Sequence, residues 1–284
     1  MDTDQPAATP SRRIALLIDA DNVSHTKISA MLAELSKYGT ANIRRAYGDW
    51  GSNGLKGWTG KLHEFAIRPI QQFNYSAGKN ATDIALVIDA MELLYTQKLD
   101  AFCIASSDAD FTPLIMQLKA NGHEVYGFGE RKTPMPFVNA CTTFLYLDRL
   151  GEEEDGADLP APRPARSRSR GGAKSPAKAA ETAQPAPKPA AKANADKPLA
   201  LDATLVGVLR GAVEATAHDD GWAEMSAAGS AAKRQAPIDP RNYGVKNFPA
   251  LFEAVGLFDI VKGERGHSYV ADKRNPDRAD APQR

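Results

Sequence analysis

Between residues 12 and 150 the apolar positions alternate between two rhythms. Continuous runs such as Ile14-Ala15-Leu16-Leu17-Ile18 and Ala101-Phe102-Cys103-Ile104-Ala105 suit strands covered on both faces. Strands are expected at 13–19, 40–47, 67–73, 101–106, 123–128 and 143–147. Helical spacing separates them, over Lys27 to Tyr38, Asp83 to Gln97 and Phe111 to Asn121, the last closed by Gly122. In the middle helix Ile84, Val87, Ile88, Met91, Leu94 and Tyr95 recur at a spacing that predicts one apolar face. Strict alternation of strand and helix predicts an α/β fold, a three-layer parallel sheet with right-handed crossovers.

The rhythm stops at Gly151. Residues 151–198 are rich in Ala, Pro and Lys and have almost nothing to bury, so a disordered linker is expected. After the acidic run from Glu152 to Asp155, the segment from Arg163 to Lys197 carries a local excess of cations, although the formal charge of the whole chain is zero. Periodicity returns over 199–273. Leu201, Leu205, Val208, Leu209 and Val213 share a helical face, a second helix fits Trp222 to Arg234, and a third fits Phe248 to Val255 and ends at Gly256. Phe258–Val261 and Ser268–Val270 flank a turn and read as a hairpin. Helices followed by a small hairpin resemble a small winged-helix domain.

No segment approaches the roughly 20 apolar residues that span a bilayer, so no membrane association is expected. The polar start, Met1 to Arg13, lacks an apolar stretch of the secretory kind. Cys103 and Cys141 read as reduced, buried residues, and five scattered histidines form no metal-binding spacing. A cytoplasmic protein is the expectation.

Four aspartates carry the candidate chemistry. Asp19 ends the first strand, Asp108 and Asp110 follow the fourth, and Asp83 opens the helix leading into it. In a doubly wound sheet ligands bind beyond the carboxyl ends of the strands, where the strand order reverses. If the first and fourth strands are neighbours there, these carboxylates share one crevice. They would repel one another unless a cation neutralised them. Oxygen ligands favour a hard ion, Mg²⁺ or Mn²⁺, and such sites most often act on phosphate esters. Asn22 is placed to orient a ligand, and Asp21 either supports the site or belongs to the turn. Asp89 lies about 240° around the helix from Asp83 and does not share its face. A capping role is the structural alternative, since Asp108 or Asp110 can cap the helix from Phe111.

The segments Ile-Asp-Ala-Asp-Asn at 18–22, Thr-Asp-Ile-Ala-Leu-Val-Ile-Asp at 82–89 and Ser-Ser-Asp-Ala-Asp-Phe at 106–111 resemble the motifs of NYN domains. These are PIN-like, Mg²⁺-dependent ribonuclease folds that include the bacterial LabA-like group. Over residues 12–148 the resemblance implies an acidic site of Asp19, Asp83, Asp108 and Asp110 with Asn22 beside it. Ser107 stands where the family often has Gly. Residues Asp239 to Phe248, with Leu251-Phe252 and Val255–Phe258, are similar to the LOTUS (OST-HTH) domain, found beside NYN domains and implied to bind RNA or protein. Pro249 departs from its usual aliphatic helix and is tolerable only in the first turn.

Cations and aromatics extend the expectation to nucleic acid. Arg241, Tyr243, Lys246, Lys262, Arg265 and His267 can present a binding face near the wing, or Tyr243 and Phe248 can be core. Lys79, Arg131 and Lys132 follow motif or strand ends near the crevice, and Trp50, Asn53 and Trp58 can line a strand path. The leading expectation is a metal-dependent ribonuclease with an RNA- or protein-binding appendage. The alternatives are a non-catalytic RNA-binding adaptor and a haloacid-dehalogenase-like phosphatase, with Asp19 as nucleophile and Asp21 as acid/base.

Overall fold

The computed structural model describes residues 11–73, 81–150, 199, 202–263, 266–275 and 278–279. The expected linker at 151–198, and the candidate contacts Lys79 and Arg265, lie outside the described residues. The first half forms a six-stranded, wholly parallel sheet of β1 (Arg13–Asp19), β2 (Thr40–Gly48), β3 (Arg68–Gln71), β4 (Ala101–Ala105), β5 (Glu124–Gly129) and β6 (Thr143–Tyr146). The order is β3-β2-β1-β4-β5-β6, so the reversal falls between β1 and β4.

Alternation of side chains along the central strands divides the core in two. Ile14, Leu16 and Ile18 of β1 pack on one face with α1 (Ile28–Leu35) and α2 (Trp58–Glu64). Ala15 and Leu17 pack on the other with α3 (Ala81–Thr96), α4 (Thr112–Ala120) and α5 (Met135–Ala140). Both faces are covered, which is why the runs are continuously apolar.

The predicted face of α3 needs correction. Thr82, Leu86, Ala90, Leu93 and Leu94 are buried, whereas Ile84, Ile88 and Tyr95 are exposed. The helix is apolar on more than one side, so spacing alone does not say which stripe meets the sheet. The short helices α2 and α5 carried too little periodicity to be expected.

The second unit contains α6 (Ala203–Glu214), β7 (Ala223–Glu224), α7 (Met225–Gln235), α8 (Phe248–Val255), β8 (Phe258–Lys262) and β9 (Ser268–Asp272). Its antiparallel sheet runs β7-β9-β8, with Leu205, Leu209, Leu251, Phe252 and Val270 in its core. Asp202 caps α6 by accepting from the amides of Thr204 and Leu205 at 3.1 and 3.0 Å. Asn247 caps α8, Pro249 sits in its first turn, and Gly256 ends it at φ +72°, where a side chain would be strained.

The two units touch through the turn before α8. Arg241 forks onto Glu34 of α1, one bond at 2.7 Å, and also binds Asp239 at 2.8 and 2.9 Å. Glu34 is 4 % exposed. Burial alone would raise its pKa, but the hydrogen bonds from Arg241 and Lys37 outweigh it and hold the carboxyl low. Next to it the Asn242 amide docks on β6. Its nitrogen donates to the Phe144 carbonyl at 2.7 Å, and its oxygen accepts from the Tyr146 amide at 3.2 Å.

Candidate functional site

The reversal of strand order puts the carboxyl ends of β1 and β4 side by side, with Ile18 paired to Ala105. Asp19 ends β1 and is fully buried. Its carboxylate accepts from the Asn22 amide group at 2.7 Å, the Asn22 backbone at 3.3 Å and the Ser106 hydroxyl at 2.8 Å. Burial pushes its pKa up, and the donors from Asn22 and Ser106 offset only part of that rise. Ser106 ties the two strand ends together, since its oxygen also accepts from the Asp108 amide at 3.1 Å. The sequence reading overlooked it, although its place directly before Ser107-Asp108 was the available signal.

Asp108 caps the turn before α4, accepting from the Asp110 amide at 2.9 Å. It therefore does the capping job named as the structural alternative while lying within the electrostatic reach of the site. Asp21 is exposed and accepts from the Thr82 hydroxyl at 3.1 Å, which pins the start of α3 against the turn after β1. Thr82 was also overlooked; it precedes Asp83 in the same motif. Ser107 accepts from the Glu130 amide at 2.8 Å and holds the end of β5 nearby. At Gly129 an added Cβ would lie 2.7 Å from the Ser106 carbonyl and 2.6 Å from the Thr133 hydroxyl, so the close approach demands glycine.

Asp83 reports the field of the whole group. Its pKa is pushed up to about 6, first by burial and then by Asp19, Asp108, Asp110 and Asp21. Asp89 is elsewhere, bonded to Arg45 and to the Tyr47 hydroxyl. Among the described residues no three Asp, Glu, His or Cys side chains stand close enough to ligate one ion as a ready-made cage. The donors are all oxygens in a strongly negative field. That suits an ion such as Mg²⁺, which keeps much of its water shell and takes one or two carboxylates directly.

A measurable consequence follows for the metal-free protein. A carboxyl whose folded pKa is raised binds its proton more tightly folded than unfolded, so its folded state loses stability as pH rises. Unfolding stability should therefore fall between about pH 4 and pH 6 as Asp83 ionises, with Asp19 acting in the same direction. Asp83→Asn should flatten that fall, and added Mg²⁺ should restore stability at neutral pH. Denaturant unfolding across pH checks it; an unchanged slope in Asp83→Asn would refute it.

The candidate cations fare differently. Arg131 is paired with Asp148, and Lys132 with Glu130 at 2.9 Å. Arg241 is taken up by Glu34 and Asp239, which corrects its assignment to an open nucleic-acid face. Tyr243 is half-buried against the C-terminal core, as its alternative reading had it, with its hydroxyl pushed up to about 12 by burial. Lys246 is exposed, and His267 stands 3.3 Å from Glu224. Trp58 is buried and the Trp50 indole donates to the Ile70 carbonyl at 3.0 Å, so neither ring is freely presented. Beside the acidic group opens a cleft of about 310 Å³ lined by Asp21, Asn22, Ser24, His25, Ser52 and Trp58.

Residues 13–148 match the NYN domain family, and residues 197–270 match the OST-HTH/LOTUS domain family. The chain is similar to an uncharacterized protein of Methanocaldococcus jannaschii, 32% identical over 147 residues. The match spans 50% of this chain and 56% of that protein, so it covers little more than half the relative's length. It is also similar, at 17% identity and a TM-score of 0.41, to a crystal structure of a protein of unknown function from Vibrio parahaemolyticus. That likeness covers 51% of this chain and 96% of the other. The NYN domain is a PIN-like nuclease-type hydrolase fold, and nucleases of that kind generally use divalent metal ions. The six-stranded sheet with its acidic reversal point and the appended helical unit thus make this chain an NYN-domain protein carrying a C-terminal OST-HTH/LOTUS domain.

Proposed function

We propose that the chain is a Mg²⁺- or Mn²⁺-dependent ribonuclease whose acidic site is Asp19, Asp83, Asp108 and Asp110, with Asn22 and Asp21 supporting it. The observation that carries the reading is the meeting of the β1 and β4 ends where the strand order reverses, with Asp19 on one and Asp108 and Asp110 after the other. Asp83 is close enough that, besides burial, these carboxylates raise its pKa. Such a field is costly without a cation and is suited to holding one against a phosphodiester. A divalent cation supplies charge neutralisation on the phosphoryl oxygens and lowers the pKa of an attacking water.

The chain's own residues do the positioning. Asp83, Asp108 and Asp110 are the ligand candidates, and the buried Asp19 anchors the end of β1 beside them. Asn22 and Ser106 fix the Asp19 carboxylate, while Asp21 holds Thr82 and so the approach of Asp83. The C-terminal domain is assigned to binding RNA, with a protein partner as the second possibility for its surface. Among the described residues no helix is long and apolar enough to cross a membrane.

The test incubates purified full-length protein with single-stranded RNA, structured RNA and single-stranded DNA in Mg²⁺, Mn²⁺ or EDTA. RNA cleavage confined to the metal arms is the expected result. Equal turnover in EDTA, or no cleavage of any RNA with either metal, overturns the reading.

A further inference from the structure

A strongly acidic site repels the polyanion it is proposed to cut, so cations elsewhere have to hold the strand. Arg131 and Lys132, the described cations expected beside the site, each pair with an exposed acid, whereas the acid that Lys37 bonds, Glu34, is buried and shared with Arg241. A different set gathers where the two domains meet. A cleft of about 480 Å³ follows the outer side of α1 and is lined by Thr26, Lys27, Ala30, Lys37, Arg149 and Arg241, among others. The acid in its wall is Glu34, which is buried and already bonded to Arg241 and Lys37. Against Lys27, Lys37 and Arg241 stand this carboxylate and Asp239 behind Arg241, so these groups together are net positive.

The cleft is also in the right place. Its Thr26 end adjoins His25 of the smaller cleft, which leads back to Asp21 and Asn22. Lys27 and Lys37 are ten residues apart along and just beyond α1, about 15 Å at helical rise and long enough for several phosphates. Among the described residues the lining contains no aromatic ring, so it offers contacts to phosphates rather than stacking to bases.

We propose that this interdomain cleft is a phosphodiester-backbone groove that receives single-stranded RNA running from the acidic site. Lys27 and Lys37 are its phosphate contacts, and the turn carrying Arg241 is its far wall. The inference rests on the ribonuclease reading for the identity of its polyanion. Binding there is independent of base sequence, and it requires the two domains to be docked.

Binding is tested without cleavage, using the full chain in EDTA and a fluorescein-labelled 15-nucleotide single-stranded RNA over a salt series. Lys27→Ala with Lys37→Ala should weaken binding about tenfold and lower the log–log salt slope by roughly 1.4, two contacts at about 0.7 each. Arg68→Ala with Lys98→Ala, which removes two exposed charges outside the cleft, should change neither. Equal affinity and slope in both double variants overturns the groove. So does an acidic peptide that binds in a Lys27- and Lys37-dependent way more tightly than RNA, which would make the occupant a protein. The two readings fail separately. Unchanged binding with active cleavage removes the groove alone, and weakened binding with no cleavage in any metal removes the nuclease alone.

Discussion

Asp108→Asn should abolish metal-dependent hydrolysis of single-stranded RNA, by at least about 10³-fold, without unfolding the protein. The proposed cation contributes several kcal/mol of charge stabilisation in the transition state, and each factor of ten in rate corresponds to about 1.4 kcal/mol. Asp19→Asn should act similarly by a different route. Asp19 is buried and receives hydrogen bonds from Asn22 and Ser106, so the change disturbs the base on which the other carboxylates stand. In the absence of metal both variants should be as stable as the parent or more so, because a carboxylate has left a crowded negative field. Initial rates with Mg²⁺ and unfolding curves in EDTA measure the two sides. Full activity in both variants would remove these aspartates from the chemistry, and a large loss of metal-free stability would make their role structural.

Arg241→Ala should cost about 3 kcal/mol of unfolding stability, at the lower end of what breaking a buried ion pair costs. The guanidinium binds Glu34 across the domain junction and Asp239 within its own turn, and both acids are 4 % exposed. Lys37 still reaches Glu34 at 2.8 Å, which limits the loss on that side. Arg241→Lys should recover little, because a point charge cannot serve two carboxylates with a planar fork. Pairing Arg241→Ala with Glu34→Gln should recover part of the loss by removing one stranded charge. Chemical denaturation of the three variants decides the matter; a loss below about 0.5 kcal/mol in Arg241→Ala would mean that the junction is solvated and weak.

The sheet was legible because β1 from Ile14 to Ile18 and all of β4 are apolar, a pattern that suits a covered parallel strand. Strand ends were within a residue or two, and β3 was shortened from 67–73 to Arg68–Gln71. The outer helices were harder. Seven- and six-residue helices such as α2 and α5 fall short of two turns, and α3 presents apolar residues to both sheet and solvent. The acidic group was legible because each Asp follows a strand or opens a helix at the same end of the sheet. Ser106 and Thr82 were not, because a hydroxyl's partner depends on which chain segments become neighbours. Arg241 was misassigned for a related reason. Its sequence neighbours fit an exposed binding turn, while its actual partner, Glu34, lies 207 residues away.

The bond between Asn242 and β6 bears on how the protein can be cut into pieces. A parallel sheet has two open rims, and each is a template for another chain. At one rim β3 is four residues long and contains Pro69, which cannot donate to a ladder. The other rim has no proline in β6, and there the Asn242 amide occupies the Phe144 carbonyl and the Tyr146 amide. A fragment ending near residue 150 would uncover those groups and leave Glu34 without Arg241. It should self-associate at concentrations where the full chain stays dispersed, visible as a larger hydrodynamic radius by light scattering. On that expectation the C-terminal domain shields part of its neighbour's rim, and removing it should change colloidal behaviour before it changes chemistry.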